Sequence, residues 1–426
     1  MTKTLQKPTI TARSISEKDK YHVIILLALI VFLSGFLFSS PQEIIQGIVQ
    51  LVQSPSILVS DYFAIANIGA ALVNAGILML IAITIAHLAK ASMNGPVIAA
   101  VLTIGGFALF GKNIYNIWPI FIGVWLFATY QKESFGKFIL PALFGTALGP
   151  LVSQVTFGFG FAQPLGYILG IIFGIMAGFV LPPLANHFVR FHQGFNLYNI
   201  GFTAGIIGMI FMSFFRAYGL QNPPTLFAYQ GGNVILTISL MAFFTLILII
   251  GIIKSTNLWY HLKNITSQSG RLVSDFVTTD GFGASLVNMA LVGYLSTIYV
   301  LLVGGQLNGA TIGGIFTIVG FGAFGKHPKN IIPIFVGVYL GATLKIFEVN
   351  ATGAVLAALF GTTLAPIAGA YGWFYGIIAG FFHIAVVMNV GYLHGGINLY
   401  NNGFAGGFVA AVLVPIINSI QKNKME

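Results

Sequence analysis

The strongest constraint on this fold is that the chain carries much of its apolar sequence twice. The 36 residues beginning at Asn94 (NGPVIAAVLTIGGFALFGKNIYNIWPIFIGVWLFAT) realign without gaps on those beginning at Asn308 (NGATIGGIFTIVGFGAFGKHPKNIIPIFVGVYLGAT), with 20 identities. At the same offset of 214, Ser60 and Asp61 match Ser274 and Asp275, Gly69 matches Gly283, and Asn74 matches Asn288. Leu143-Phe144-Gly145-Thr146 returns as Leu359-Phe360-Gly361-Thr362, and Asn196-Leu197-Tyr198-Asn199 as Asn398-Leu399-Tyr400-Asn401. A duplication this long predicts two homologous halves, 1–220 and 221–426, each completed by packing against its copy.

The duplicated material belongs in a bilayer. Charged residues make up 7% of the chain and apolar ones 57%, whereas soluble domains carry about 25% charge. That balance excludes a soluble globular enzyme, a disordered chain and a nucleic-acid binder. The net charge of +10, from 19 Lys+Arg against 9 Asp+Glu, then reads as orientation signals between spans. The chain has no cysteine, which excludes disulfides, thiolate metal sites and thiol nucleophiles, and its 52 glycines point to closely packed or broken membrane helices. No phosphate-binding loop, dinucleotide fingerprint, metal-ligand cluster or hydrolase elbow occurs, so neither an enzyme nor a resident cofactor or metal is expected. Any transport would be passive or ion-coupled.

Hydropathy predicts seven segments in the first half, at 21–40, 63–89, 95–110, 114–130, 138–155, 164–187 and 196–214. The first is a retained span, longer than a signal peptide's apolar region, and 41–60 reads as an amphipathic stretch at the interface. Lys3, Lys7, Arg13, Lys18 and Lys20 place the N-terminus inside. The 41–60 loop has no Lys or Arg, whereas its counterpart in the second half carries Lys254, Lys263 and Arg271, so the two loops face opposite sides. Lys90 and Arg190 of the first half meet uncharged positions in the second, while Lys326 and Lys329 outweigh Lys112. Lys112, Arg216 and Lys345 form an outside minority, and Lys422 and Lys424 put the C-terminus inside. The predicted fold is an all-α polytopic membrane protein of two inverted-topology repeats, each with about seven hydrophobic segments, some re-entrant or broken.

The main candidate site is the pair of elements His192-x-Gly194-x-Asn196-Leu197-Tyr198-Asn199-x-Gly201-Phe202 and His394-Gly395-Gly396-x-Asn398-Leu399-Tyr400-Asn401-x-Gly403-Phe404. Carboxamides are costly in hydrocarbon unless paired. Asn196 with Asn199, and Asn398 with Asn401, would lie a turn apart on one helix face, either lining a pore or joining neighbouring helices. Tyr198 and Tyr400 stand beside them, and Phe202 and Phe404 are placed to narrow a pore for a flat solute. Asn94 and Asn308 each open a short Gly-rich segment whose N-terminal amides could aim at a solute from either half. Asp61 and Asp275 read as helix caps, and Asp280, matched by Ala66, is the single carboxylate suited to ion coupling.

On the elements GFNLYNIGF and GINLYNNGF the chain resembles a family of bacterial membrane proteins defined only as a domain of unknown function. At fold level it also resembles the urea transporters, whose inverted repeats use Gly-Asn-rich segments, short re-entrant helices and paired Phe residues about a narrow pore. That likeness implies a channel or transporter in the cell membrane with both termini cytoplasmic. Its partners would be the lipid bilayer and a small polar solute, neutral or weakly charged, with no nucleic acid, and a homo-oligomer fits the same reading. The competing class is a membrane subunit of a redox or lipid-modifying enzyme complex. Asn308-Gly309-Ala310-Thr311 resembles part of the covalent-flavin threonine motif of sodium-pumping reductase subunits, without its first Ser.

Overall fold

The computed structural model describes residues 15–344 and 346–422. Lys3, Lys7, Arg13, Lys345 and Lys424, used above as orientation signals, lie outside the described residues, as does the side chain of Lys422. The first half folds into α1 (Glu17–Ser34), α2 (Pro41–Gln53), α3 (Tyr62–Ile65), α4 (Ile68–Leu88), α5 (Gly95–Phe107), α6 (Trp118–Tyr130), α7 (Ile139–Gly145), α8 (Gly149–Ser153), α9 (Gln163–Phe188) and α10 (Asn199–Ala217). The second half repeats that order as α11 (Asn233–Lys254), α12 (Leu258–Ile265), α13 (Phe276–Thr279), α14 (Phe282–Leu302), α15 (Gly309–Phe321), α16 (Pro328–Thr343), α17 (Thr352–Gly361), α18 (Ala365–Tyr371), α19 (Trp373–His394) and α20 (Asn401–Lys422).

Ten helices among the described residues are long and apolar enough to cross a membrane, five before residue 220 and five after it. The chain is thus a multi-pass helical membrane protein. Helices are the required solution here, because a bilayer offers the backbone no other hydrogen-bond partners. Two of the seven expected segments per half are shorter. Helices α5, α6 and α15 each have 13 residues, so each is about 20 Å long against a hydrocarbon core of about 30 Å. Helix α2 forms where an amphipathic stretch is expected. Ser40 and Glu43 close a capping box at its start, Ile44 and Leu51 are buried, and Ile45 and Val49 are exposed.

The short helices occupy the middle of the molecule. Every residue of α15 and every residue of α5 except Pro96 is buried. Glycine permits their contact, since a Cβ on Gly106 would lie 2.5 Å from the Gly313 carbonyl oxygen, and one on Gly313 would lie 2.5 Å from that of Gly106. Gly320 meets Ala99 in the same seam. As position rises from 99 to 106 along α5, its partner falls from 320 to 313 along α15, so the two helices run antiparallel. Helices α10 and α20 meet differently: Tyr198 and Phe202 pack on Gly403 and Gly407, and Tyr400 and Phe404 on Gly201 and Gly205. There both positions rise together.

Buried polar groups hold the halves to each other. Asp61 caps α3 through the Phe63 N–H and also accepts from the Gly309 N–H at the start of α15, 3.0 Å away. Asp275 caps α13 through Val277 and Thr278 and accepts from the Gly95 N–H at the start of α5, also at 3.0 Å. Each carboxylate serves as an N-cap and crosses to the other half's short helix, where a negative charge is favoured by the helix dipole. Other buried amides act within one half: Asn74 Nδ2 donates to the Ala108 and Lys112 carbonyls, and Asn288 Nδ2 to those of Gly322 and Lys326.

Those last bonds lead to a correction. Lys112 and Lys326 are expected in loops as orientation charges, but both side chains are fully buried in the turns after α5 and α15. The turn is pinned from both sides, by Asn74 or Asn288 on the Lys carbonyl and by Asn116 or Asn330 on the carbonyl of Gly111 or Gly325. Neither lysine belongs in a count of loop charges.

Candidate functional site

Between the halves lies a cavity of about 300 Å³. Exposed Asn186 and Val273 stand at one end of its lining, and buried Tyr198 and Tyr400 at the other. Phe144 and Phe321 complete the inner wall, with Asn199 beside them. The two tyrosine rings are 5.1 Å apart, Tyr198 is 4.8 Å from Phe321, and Phe107 is 4.5 Å from Tyr400. Phe144 and Phe321 are 5.7 Å apart across the floor.

Two buried lysines flank this aromatic group. Lys326 Nζ donates to the Tyr198 hydroxyl and, at 2.7 Å, to Thr362 Oγ1, and lies 4.4 Å from the centre of the Tyr198 ring. Lys112 occupies the equivalent position in the first half, 5.0 Å from the centre of the Phe107 ring. Its Nζ has no hydrogen-bond partner, and neither has the Tyr400 hydroxyl, the counterpart of the one that Lys326 binds. The sequence signal for this pair is the Phe-Gly-Lys that ends both copies of the duplicated segment. By itself that signal reads as loop charge, because sparse lysines between apolar runs ordinarily are.

The structure brings Tyr198, Asn199 and Tyr400 to the cavity. The other expected site residues are placed elsewhere. Asn196 precedes α10 and does not share a helix face with Asn199; its Nδ2 donates to the Gly403 carbonyl, and its Oδ1 accepts from the Tyr198 N–H and from Thr363 Oγ1. Asn398 reaches the Gly201 carbonyl and the Tyr400 N–H in the same way. Asn199 Nδ2 donates to the Ala185 carbonyl and Asn401 Nδ2 to that of Val387, while their Oδ1 atoms meet His192 and His394. All four carboxamides therefore have protein partners. Phe202 and Phe404 pack 6.1 Å apart in the α10–α20 contact, outside the cavity lining.

Asn94 and Asn308 cap α5 and α15 through the Val97 and Thr311 N–H groups. The Thr311 hydroxyl, the acceptor a covalent flavin would use, is fully buried and accepts from the Asn308 N–H. Asp280 is also buried, away from the cavity, where it accepts from Asn264, Gln268 and Thr279 with His261 Nδ1 3.7 Å away. Among the described residues no group of three or more His, Cys, Asp and Glu side chains could hold a metal ion.

Ten long apolar helices, two duplicated halves joined by buried polar bonds, and a cavity between them define a polytopic α-helical membrane protein. Residues 40–217 and 254–419 match the family described as a protein of unknown function, DUF1576, and the chain belongs to that family. No curated protein and no solved structure matches it.

Proposed function

We propose that this protein is a channel or transporter for a small polar solute, neutral or weakly charged, that moves through the cavity between the halves. The observation that carries the proposal is the cavity itself, which runs from exposed Asn186 and Val273 to the buried Tyr198–Tyr400 pair where the halves meet. Transporters built from repeats place their solute sites at such an interface.

The halves are inverted repeats related by a two-fold axis in the membrane plane, with α5 and α15 as re-entrant helices. The antiparallel contact of α5 with α15 supports this, as do the reciprocal Asp61–Gly309 and Asp275–Gly95 bonds. One axis accommodates both helix pairs if α5 and α15 cross it and α10 and α20 diverge along it. Charge supports the same topology. Hydrogen bonds join 222 to 395, 225 to 59, 229 to 61 and 233 to 305 into one face, whose loops at 41–60, 220–232, 303–308 and 392–396 have no Lys or Arg, with Arg216 of α10, bonded to the Tyr392 and Leu393 carbonyls, as the exception at that face. At the other face α1 begins beside the end of α4, through Tyr21 OH to the Ala91 carbonyl, bringing Lys18, Lys20 and Lys90 together. Arg271 reaches the Gln193 carbonyl near Arg190, and the cavity opens between Asn186 and Val273 on the same side. That basic face is cytoplasmic by the positive-inside rule, and both termini lie there. The urea transporters supply the fold analogy, and the analogy leaves the solute open.

Proteoliposomes containing the full chain should pass at least one member of a panel of urea, glycerol, formate, acetate and nitrate faster than empty vesicles. Tyr198→Trp, which fills the cavity floor, should slow that flux while the protein remains folded. If every solute leaks at the empty-vesicle rate, the proposal is wrong.

A further inference from the structure

We infer that the solute of this cavity is a small monovalent anion, drawn to the Tyr198–Tyr400 floor by the buried lysines Lys326 and Lys112. The inference rests on the transport reading above and names its substrate class. Its physical basis is a pair of buried amines with no acidic partner. Both ammonium groups are fully buried, and among the described residues no carboxylate lies within 4 Å of either. The buried acids have other partners: Asp61 and Asp275 on the starts of short helices, and Asp280 on Asn264, Gln268 and Thr279. A charge at membrane depth is strongly disfavoured unless a counter-charge accompanies it, so an anion entering the cavity is what would let these amines carry a proton.

The hydrogen-bond inventory points the same way. Tyr198 accepts from Lys326, and its own O–H proton can go to Thr362 Oγ1 or to a solute. A phenol polarised by an ammonium is a strong donor to an anion. Lys112 Nζ has no hydrogen-bond partner, the Tyr400 hydroxyl has Thr103 as a polar neighbour, and both tyrosines line the cavity. Two cavity-lining hydroxyls, one bonded to Lys326 and the other packed on the Phe107 ring that Lys112 also approaches, with no carboxylate facing them, are matched to an acceptor with negative charge. Walls of Phe144, Phe321 and Phe324, with no arginine, favour a weakly hydrated monoanion over phosphate or sulfate. The duplication adds weight: an inverted repeat puts Lys112 and Lys326 in equivalent surroundings in opposite halves, and both copies retain the amine.

The test uses the full chain in proteoliposomes with formate, acetate and nitrate as anions and urea and glycerol as neutral controls. Thermal unfolding in detergent with the same solutes reads binding separately. At least one anion should cross about tenfold or more faster than either neutral solute and should raise the unfolding midpoint, and Lys326→Met should lose both effects. Lys112→Met replaces an unpartnered ammonium with an apolar chain of similar length. It should fold with a midpoint at or above that of the wild type and lose anion flux, which keeps the test sound if Lys326→Met fails to fold. Flux of urea or glycerol that ignores anions and is unchanged by Lys112→Met overturns the inference and leaves the transport reading standing. Absence of flux for every solute overturns the transport reading, and an anion-dependent midpoint lost in Lys112→Met would still support the anion site.

Discussion

Asn196 shows how a polar residue in an apolar chain can be identified as important and still be assigned the wrong neighbours. That its carboxamide must be paired follows from composition alone, because hydrocarbon offers it nothing. Its partners are the Gly403 carbonyl, 207 positions away, and the Thr363 hydroxyl, 167 positions away. Asn196→Leu should leave the Gly403 carbonyl and the Thr363 O–H without that partner, at about 1–3 kcal/mol each, while the Tyr198 N–H keeps Thr363 Oγ1, and should lower the thermal midpoint of the detergent-solubilised protein. Asn398→Leu, which removes the partner of the Gly201 carbonyl and the Tyr400 N–H, should cost a similar amount; equal midpoints for Asn196→Leu and the wild type would show that the amide is not buried in this network. The lysines teach the opposite lesson. Lys112 and Lys326 have the sequence surroundings of loop charges, and only the packing of Asn74 and Asn288 on their backbones reveals that their turns are drawn inside. One clue is in the sequence: both copies of the duplicated segment keep the lysine in Phe-Gly-Lys.

At the level of elements, hydropathy locates the seven apolar segments of the first half but leaves the role of the short ones open. Helices α5 and α15 are apolar all round, which fits either a tilted span or a buried half-length helix. Their glycines decide the contact. A Cβ on Gly106 would meet the Gly313 carbonyl oxygen at 2.5 Å, a distance no packed side chain tolerates. Gly106→Leu should therefore force α5 and α15 apart at a cost of about 1–3 kcal/mol or more, seen as reduced extraction yield and a lower midpoint. A Gly106→Leu protein with wild-type yield and midpoint would show that the two helices do not touch. The aspartate caps work at the same scale. A serine-aspartate before an apolar run marks a helix start in the sequence, as it does for α3 and α13, but the second bond of each carboxylate, to the helix of the other half, has no local signal.

For the whole molecule, the segment joining the halves breaks the symmetry. Residues 225–229 pair with Val59 and Asp61 through backbone and carboxylate bonds, and Tyr229 packs on Phe63. The equivalent Leu272 and Val273 have no such cover and line the cavity, so the linker closes one face and leaves the basic face open. The topology is directly testable because the chain has no cysteine. Gln46 and Tyr260, exposed and 214 positions apart, should fall on opposite sides of the membrane. In intact cells a membrane-impermeant maleimide should label the Gln46→Cys protein, and the Tyr260→Cys protein only after permeabilisation; identical labelling of both would refute the inverted arrangement. The sequence by itself determined that this is a multi-pass helical membrane protein, that an apolar segment is carried twice, and that Asp61 and Asp275 cap helices. Those properties follow from local hydropathy and from comparing the chain with itself. Only the tertiary structure decided which lysines are buried, that the four asparagines are spent on protein partners, and that two tyrosines and their aromatic neighbours floor the cavity. The reason is distance along the chain: Lys326 meets Tyr198 across 128 positions and Asp61 meets Gly309 across 248, and no local pattern encodes a partner that far away.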